Sequence, residues 1–371
     1  MNQAKVSKRV RAATLADVGR LAGVSAMAAS AALNGARTSS RIAAPTRKRI
    51  LAAAARLRYR PNAAARALTS RRIHTIGVAG LVQSDELNHY FLDILGGILA
   101  AAGRHDENTT LFTLHDWSND TARLQELCDG RIDGLILIAP YLTRAAGRLL
   151  PAHIPFVAIH ANCPLKNVVN IESDEEAGAS EVTRYLISRG HRHLLHLTGP
   201  RGFLGAERRI RAFKRALATA GIPFDNSLLV ESAFFTTPAG RDAMRQWLRA
   251  HVGEKLPQAI FCANDAIAIG CLEALAEIGF RVPDDVSIAG FDDTLAARTT
   301  VPQLTSVRQP LGAMGSRAAE VLIERIQQGE RRPARSTPNP IVFPVEVISR
   351  ASVGPPPAVA RIVPAPRTVT R

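Results

Sequence analysis

The residues whose clustering most suggests a chemical site are three histidines. The segment HRHLLH contains His191, His193 and His196, a composition that could bind a metal ion. Successive side chains of a β-strand point to opposite faces, so His196 would lie on the face opposite His191 and His193. We therefore expect a structural or surface role for these histidines, and the sequence predicts no metal site.

Motifs for catalysis and cofactor binding do not occur in the sequence. It contains no recognisable nucleophile, base and acid arrangement, and no G-x-G-x-x-G segment that would bind a dinucleotide. We predict that the protein is not an enzyme and uses no cofactor.

Cysteine usage and hydropathy indicate the compartment. The four cysteines have no C-x-x-C spacing, which favours a reducing compartment over disulfides or a zinc module. The basic start, MNQAKVSKRVRAATL, lacks the apolar core of a secretory signal, and no segment approaches the ~18 apolar residues that a spanning helix needs. The sequence predicts a cytoplasmic protein with no membrane partner.

The positive charge is confined to the first fifth of the chain. Residues 1–72 contain 16 Lys and Arg against one acid, Asp17, whereas residues 73–371 contain 31 residues of each sign. The whole formal net charge of +15 therefore belongs to residues 1–72. A folded basic module attached to a neutral domain is typical of nucleic-acid binding. A solubilising or disordered tail is the alternative that charge alone leaves open.

Residues 14–60 are predicted to form three short helices. Thr14 can cap the first helix, and Ser25 can cap a second helix that runs to Leu33. A third helix, from about 46 to 57, has one apolar face. Helix, tight turn, helix, loop and helix is the pattern of a helix-turn-helix module. Its second helix, in SAMAASAALN, has no basic residue.

After residue 72 the pattern changes to buried strands that alternate with helices. Short apolar runs such as HTIGVAGLV, DGLILIAP and DVSIAGFDD are separated by helical segments. This alternation is typical of parallel sheets with helices on both faces. About ten such strands are too many for one ordinary sheet, so we predict two doubly wound lobes. The Pro-rich segment from Gly354 onward is predicted to be disordered.

An ordered set of motifs gives the chain a family resemblance. TLADVGRLAGVS, RILAAAARLRYRPNAAARAL, RGHRHLLHLTGP and FCANDAIAIGCLEALAEIGFRVPDDVSIAGFDD occur in the order found in the LacI/GalR (lactose-repressor) family of bacterial transcription regulators. The chain resembles that family over roughly residues 14–352. The resemblance implies an all-α DNA-binding headpiece, a hinge helix and an α/β core of periplasmic-binding-protein type, with a small-molecule effector between its lobes.

The same resemblance implies how the protein works. We expect a transcriptional regulator, most simply a repressor, that binds an approximately palindromic double-stranded DNA operator as a homodimer. The effector, a sugar or related carbohydrate-like metabolite, is expected to change the affinity for DNA. A solute-binding protein with the same core is the alternative function, although it would need a signal peptide and no headpiece. A sugar-handling enzyme with a basic tail is a third possibility, but no acid/base pair supports it.

The domain organisation expected from the sequence has five parts. They are a basic arm (1–13), the helix-turn-helix headpiece (14–60), a hinge helix or linker (61–72), the two-lobed core (73–350) and a disordered Pro-rich tail (351–371). Lobe 1 is expected at about 73–172 and 303–335, and lobe 2 at about 173–302 and 336–350. The chain is expected to cross between lobes near 171–174, 301–305 and 333–340.

In the headpiece, the resemblance places Ala26, Met27 and Ala31 against base edges, with Ser25 at the start of the same helix. Family members usually have Thr-Val-Ser-Arg where this chain has AASA, so an arginine that could bind guanine is missing. Methyl groups can contact the thymine methyl but cannot hydrogen-bond to base edges. We expect this helix to read thymines and DNA shape.

Polar and basic residues are expected to contact the DNA backbone. Thr14, Ser30 and Asn34 match phosphate-binding positions of the family. Arg37 and Arg41 lie in a loop that is a few residues longer than usual in the family. These two arginines either add phosphate or groove contacts or belong to a solvated face.

Two further residues align with the hinge helix of the family, Asn62 and Leu68. Leu68 corresponds to the leucine that family members insert into the minor groove at the operator centre, which kinks the duplex. Packing against its dimer mate is the alternative for Leu68. Tyr59 is expected to pack within the headpiece.

The family's effector pocket maps onto eight residues of the core. They are Tyr90, Phe91, His160, Arg209, Phe235, Asn264, Asp292 and Gln309. Strand ends meet at such a cleft, where aromatic rings stack on apolar ligand faces and Arg, Asn and Asp bind hydroxyls or a carboxylate. Arg209 is the strongest candidate, whereas Asn264 and Asp292 could instead cap helices. His160 replaces a residue that is often Asp in the family.

Overall fold

The structure is a computed structural model of the chain, and it describes residues 13–34, 42–60, 72–81, 88–117, 122–329 and 338–365. The chain divides into two compact units, residues 1–73 and residues 74–371. Each unit is considered by itself. Within the described ranges, no helix is long and apolar enough to cross a membrane.

The N-terminal unit contains three helices, α1 (Leu15–Ala22), α2 (Ala26–Asn34) and α3 (Ala44–Arg56). A reciprocal capping box begins α1: the Asp17 amide donates to Thr14 Oγ1 at 3.3 Å, and the Thr14 amide donates to Asp17 Oδ2 at 3.0 Å. The helix ends at Gly23, whose φ of 68° closes the tight turn into α2. The local sequence thus dictates both ends of the first helix.

A small core made mainly of alanines holds the three helices together. Val18, Ala29 and Ile50 are fully buried at its centre. Tyr59 packs against the same cluster, as expected. Small side chains let the helices approach closely, so this unit needs few large apolar residues.

The C-terminal unit consists of two lobes, each built on a six-stranded sheet. The strands are β1 (Thr75–Leu81), β2 (Asn108–Leu114), β3 (Gly134–Ile138), β4 (Phe156–Ile159), β5 (Val168–Ser173), β6 (Leu194–Thr198), β7 (Leu229–Glu231), β8 (Ala259–Cys262), β9 (Ser287–Asp292), β10 (Thr305–Arg308), β11 (Ile341–Phe343) and β12 (Glu346–Ile348). The order is β11-β5-β4-β3-β1-β2 in lobe 1 and β12-β10-β9-β8-β6-β7 in lobe 2. Only the β10–β12 pair is antiparallel among these strands.

Helices cover both faces of each sheet, which confirms the predicted doubly wound fold. The helices are α4 (His89–Arg104), α5 (Arg123–Leu127), α6 (Arg144–Gly147), α7 (Glu175–Ser188), α8 (Leu204–Thr219), α9 (Thr237–Ala250), α10 (Asp265–Glu277), α11 (Leu295–Thr299) and α12 (Leu311–Gln327). In lobe 1, α4 and α12 pack so closely that a methyl group on Gly97 would collide with the Gly312 carbonyl. In lobe 2, α7 and α8 cover one face, and α9 and α10 cover the other.

The chain passes between the lobes three times, but two of the passages are not where we expected them. The first lies at Asp174, between β5 and α7. The second lies at 309–310, because β10 pairs with β9 inside the sheet of lobe 2. The third lies at 344–345, because β11 pairs with β5 in lobe 1. Residues 303–308 therefore belong to lobe 2 and β11 to lobe 1, contrary to the predicted lobe boundaries.

The prediction of a disordered tail is wrong for residues 351–365. This C-terminal segment runs along lobe 2, with Val353 and Val363 buried. The Val363 amide donates to the Glu254 carbonyl at 2.9 Å, and the Leu256 amide donates to the Arg361 carbonyl at 2.7 Å. Val353 and Val363 thus pack on lobe 2 on either side of the proline run 355–357, which composition alone does not reveal. Residues 366–371 lie outside the described part.

Candidate DNA-binding surface and interlobe site

Helix α2 presents part of its methyl-rich surface to solvent. Met27 is 80% exposed, and Ala26 beside it is exposed as well. Ala31 is only 7% exposed. The methyl group of Ala31 is thus largely covered in this structure, and its expected base contact stays a prediction. Among the α2 side chains whose exposure the structure describes, the exposed ones lie in the first turn.

The polar residues expected at phosphates lie at helix ends. The Thr14 hydroxyl accepts from the Asp17 amide and donates to Asp17 Oδ2 at 2.7 Å. Ser25 Oγ accepts from the Ala28 amide at 3.1 Å, which caps α2. Ser30 is half-buried, and Asn34 is the last residue of α2. Helix N-terminal amides at α1 and α2 are suited to phosphate oxygens.

Four of the predicted DNA-contacting residues fall outside the described part of the chain. They are Arg37, Arg41, Asn62 and Leu68. Basic residues that were not singled out from the sequence do lie on the described surface, since Arg47, Lys48 and Arg49 on α3 are all exposed. Their signal was the basic run RKR at the start of a helix. This run adds a positive surface to the headpiece.

A chain of hydrogen bonds joins four of the predicted effector residues across the two lobes. In lobe 1, Tyr90 Oη lies 2.6 Å from His160 Nδ1, and the Ser173 amide donates to His160 Nε2 at 3.2 Å. The Ser173 hydroxyl donates to Gln309 Oε1, and Gln309 Nε2 donates to Asp292 Oδ1 of lobe 2 at 2.6 Å. Ser173 was not identified from the sequence. This chain couples the lobes at their hinge.

Burial fixes the protonation of the lobe 1 end of that chain. Desolvation lowers the pKa of His160 to about 4, so its ring is neutral near pH 7. Because Nε2 accepts from the Ser173 amide, we assign the proton to Nδ1, which donates to Tyr90 Oη. The pKa of Tyr90 is raised by burial. The Tyr90 hydroxyl proton is thus free to point at a further acceptor.

Arg209 is buried and already ion-paired. Its Nη1 donates to the Ala263 carbonyl at 2.7 Å, and its Nη2 donates to Glu175 Oε1 at 2.9 Å. Its guanidinium carbon lies 4.1 Å from the centre of the Phe291 ring. Among the described residues, Arg209 Nε has no hydrogen-bond partner. One donor of a rigidly held guanidinium therefore remains unused.

Asp292 has a strained backbone conformation. Its φ is 112°, a backbone conformation that side-chain-bearing residues rarely adopt and that often marks functional sites. Burial, reinforced by the nearby Asp265 carboxyl, raises its pKa. Burial also raises the pKa of Asp265 to about 7, although Thr294 and Ser306 donate hydrogen bonds to it.

Asn264 and Phe235 lie at the strand ends of lobe 2. Asn264 Oδ1 accepts from the Ile267 amide at 2.9 Å and caps α10, which is the structural alternative foreseen for this residue. Its amide donates to the Phe235 carbonyl at 3.3 Å. The Phe235 ring lies edge-on to Phe203, with centroids 5.7 Å apart.

Phe91 does not join the other predicted effector residues. Its ring is 4% exposed and belongs to the core of lobe 1 beneath α4. A methyl group on Gly80 would collide with this ring. The side chain packs against β1 in this structure, and the assignment of Phe91 to the effector site stays a prediction.

Three contacts across the mouth of the cleft were missed by sequence reasoning, and together they form what we call the interlobe latch. The Tyr141 ring stacks on Phe203 with centroids 4.5 Å apart. Asn162 Oδ1 accepts from the Leu204 amide at 2.7 Å, and Arg208 pairs with Glu172 at 3.0 Å. Tyr141 and Asn162 follow β3 and β4, so their position at strand ends was the available signal.

Of the three histidines, His191 and His196 are buried and contact backbone carbonyls, whereas His193 is exposed. Only His196 lies within a strand, where its Nδ1 contacts the Phe261 carbonyl at 2.8 Å and its ring stacks on Phe261. His191 precedes the strand and contacts the Gly354 carbonyl at 3.1 Å. Among the described residues, no group of three or more His, Cys, Asp or Glu is placed to bind a metal ion.

Both units of the chain match known families. Residues 14–62 match the model of bacterial regulatory proteins of the lacI family. Residues 183–353 match the periplasmic binding protein-like domain. The first match covers the three-helix unit, and the second covers most of lobe 2.

Similar proteins span nearly the whole chain. The HTH-type transcriptional repressor PurR of Vibrio parahaemolyticus is 32% identical over 323 residues, which are 86% of this chain and 93% of that protein. The structure of the Lac repressor dimer bound to operator and the anti-inducer ONPF has a TM-score of 0.78 and 25% identity, covering 93% of this chain and 100% of that one. The complex of the transcriptional regulator CelR with cellobiose has a TM-score of 0.67 and 27% identity, covering 92% and 99%. The chain therefore belongs to the lacI family of bacterial regulatory proteins.

Proposed function

We propose that this protein is a transcriptional repressor whose affinity for an operator is controlled by a small molecule bound between the lobes of its core. The observation that carries the proposal is the presence, in one chain, of a basic helix-turn-helix unit and a two-lobed core of periplasmic-binding type. The relatives named above are repressors and regulators. The protein would act by binding alone, in the cytoplasm, without a catalytic step.

DNA recognition would combine a few apolar contacts to bases with strong electrostatic attraction to the phosphates. Ala26 and Met27 are placed on the exposed first turn of α2, where apolar side chains can contact thymine methyl groups. The amides at the starts of α1 and α2 and the basic run of α3 would contact phosphates. A homodimer would present two such units to an approximate palindrome.

Effector control would act through the lobe angle. Gln309 lies in one passage between the lobes and is hydrogen-bonded on either side, to Ser173 of lobe 1 and Asp292 of lobe 2. A ligand that binds one lobe angle more tightly would shift the population toward it. Couplings of this kind amount to ~1–3 kcal/mol, which changes operator affinity by roughly 5- to 150-fold.

The test is selection of binding sites from random DNA by the full chain and by a fragment of residues 73–371. The full chain should enrich an approximate palindrome rich in thymine under α2, whereas the fragment should enrich nothing and still fold. Failure of the full chain to enrich any sequence would refute the repressor function. A strong guanine requirement under α2 would refute reading by methyl groups alone.

A further inference from the structure

Met27 is a large apolar side chain that the headpiece leaves in solvent. It lies in the first turn of α2 and is 80% exposed, beside the exposed Ala26. Its thioether does not belong to the apolar cluster around Val18, Ala29 and Ile50 that holds the three helices together. A chemical change at this side chain would therefore alter the surface of the headpiece without disturbing its core.

The other methionines of the described chain are enclosed. Met244 and Met314 are each 0% exposed, in the cores of lobe 2 and lobe 1. Met1, the fourth methionine, lies outside the described residues. A thioether meets a dissolved oxidant only where solvent reaches its sulfur, so Met27 should be oxidised well before Met244 and Met314.

The cysteines are poorer targets for an oxidant than Met27. Cys128, Cys262 and Cys271 are buried, and Cys163 is half-buried. Burial raises the pKa of the Cys128 thiol to about 12 and also raises that of Cys163, whereas the thiolate is the reactive form of cysteine. None of the four cysteines lies within residues 1–72. Oxidation of the headpiece would therefore begin at a thioether.

Oxidation of a thioether by a peroxide changes one apolar group into a polar one. A sulfur lone pair attacks one oxygen of hydrogen peroxide, the O–O bond breaks, and a new S–O bond forms. The oxygen that stays on sulfur gives its proton to the departing hydroxide, which leaves as water. The sulfur is oxidised by two electrons and the peroxide is reduced by two. The product, methionine sulfoxide, is polar and can be reduced again by sulfoxide reductases.

Helix α2 has little else with which to recognise bases. It contains no charged residue, and its other exposed side chain in the first turn is the methyl group of Ala26. A sulfoxide oxygen pressed against a thymine methyl group would lose its water without gaining a hydrogen bond, which weakens binding. The basic run of α3 would still attract phosphates, because oxidation of Met27 leaves its charges unchanged.

We propose that Met27 is a reversible oxidation site on the DNA-binding surface, and that its sulfoxide lowers the affinity for the operator but not for nonspecific DNA. This inference rests on the proposed function, because it takes the first turn of α2 to face the bases. The oxidant is a peroxide dissolved in water. Oxidising conditions would then release the operator by a route that does not pass through the effector site.

The first test locates the oxidation by mass spectrometry after the full chain is treated with hydrogen peroxide, with and without the operator obtained by selection. The peptide that contains Met27 should gain one oxygen atom well before the peptides that contain Met244 and Met314, which are internal controls. Bound operator should slow the gain at Met27. Equal rates at the three sites, or no protection by the operator, would overturn the proposal.

The second test measures DNA affinity before and after treatment that mass spectrometry shows to have oxidised Met27 completely. The wild type should lose operator affinity by about fivefold or more, keep its affinity for nonspecific DNA, and recover after reduction by a methionine sulfoxide reductase. Met27→Leu is the matched control, since it retains Met1 and all four cysteines. Its affinity should be the same before and after treatment. Each chain is compared with itself, so the effect of the substitution on the untreated affinity cancels.

Three results of this second test would overturn the proposal. They are an unchanged operator affinity in the oxidised wild type, an equal loss in Met27→Leu, and an equal loss on nonspecific DNA. The second would place the sensitive group elsewhere, and the third would mean damage to the headpiece as a whole. An untreated chain that binds no operator would instead contradict the repressor function, so the two failures are distinguishable.

Discussion

At the scale of single residues, the core buries polar groups and decides their charge by desolvation. His196 is fully buried between Phe213 and Phe261, and burial lowers its pKa to about 4. The same cause raises the pKa of Asp265 to about 7. Burial favours the neutral form of both groups, so the His196 ring is neutral above its pKa of about 4 and the Asp265 carboxyl is neutral below its pKa of about 7.

The pH dependence of stability should reveal the buried His196. Its folded-state pKa of about 4 lies below the unfolded value of about 6.5, so the unfolded chain binds more protons between these pH values. The contribution of His196 to the free energy of unfolding is therefore present above about pH 6.5 and is lost as the pH falls to 4. In His196→Gln, the loss of roughly 3 kcal/mol in the free energy of unfolding between these pH values should be absent.

Urea denaturation at pH 7 and pH 4.5 measures this effect as the difference between wild type and His196→Gln. The comparison of two chains cancels the opposite contribution of Asp265, which is common to both. The difference in free energy of unfolding between the wild type and His196→Gln should become smaller or change sign at pH 4.5. A gap that does not change with pH would show that His196 is protonated as easily in the folded protein as in the unfolded one.

At the scale of elements, the interlobe latch positions the start of α8 against lobe 1. No side chain of α8 caps its own N-terminus, and Asn162 supplies an acceptor to the Leu204 amide from the other lobe. Tyr141 of lobe 1 also stacks on Phe203, the residue before α8. The helix end is therefore completed only when the lobes are close together.

Removing the latch should favour the open form. Asn162→Ala takes away one hydrogen bond, a loss of about 1 kcal/mol, so the Leu204 amide should exchange with solvent roughly fivefold faster. Hydrogen exchange with mass spectrometry checks this. Asn226→Ala, an exposed change elsewhere in lobe 2, is the control. Unchanged exchange at α8 in Asn162→Ala would remove Asn162 from the latch.

Much of the secondary structure could be predicted from the sequence. The burial of some side chains and the lobe assignment of two strands could not, for physical reasons. Thr14, Ser25 and Gly23 determine helix ends by local chemistry, so the headpiece helices were predictable. The burial of Ala31 and Phe91 depends on the tertiary surroundings, which local patterns do not contain. The strands β10 and β11 are three or four residues long, and only their pairing partners assign them to a lobe.

The candidate site was predictable in part. Tyr90, His160, Gln309 and Asp292 were identified through family motifs, and the structure brings them into one hydrogen-bonded chain. Ser173 and Glu175 were missed, because a serine and a glutamate near a strand end have many ordinary roles. Their importance comes from distances to residues more than 30 positions away, such as Arg209 and Gln309.

At the scale of the whole molecule, charge is divided between a basic headpiece and a neutral core. Residues 1–72 hold the entire formal net charge, and Asp17, their single acid, is engaged in capping α1. The electrostatic attraction to DNA therefore comes from residues 1–72.

Operator affinity should fall steeply with salt. Each phosphate neutralised by the headpiece releases counterions, so log K should drop by about 0.9 per neutralised phosphate for each log unit of salt. Fluorescence anisotropy with a labelled operator would give the slope of log K against log salt concentration. A range of about 50 to 200 mM KCl is suitable. A slope near zero would contradict binding driven by charge.

The three passages between the lobes have a mechanical consequence. They contain one residue at 174, two at 309–310 and two at 344–345, and they all leave from strands at one edge of each sheet. Linkers this short span at most about 7 Å, so the lobes cannot slide apart along that edge. The lobes can instead rotate about a hinge axis along that edge. Six strands spaced about 4.8 Å apart make a lever of roughly 24 Å, and a 10° turn then moves the free edge by about 4 Å.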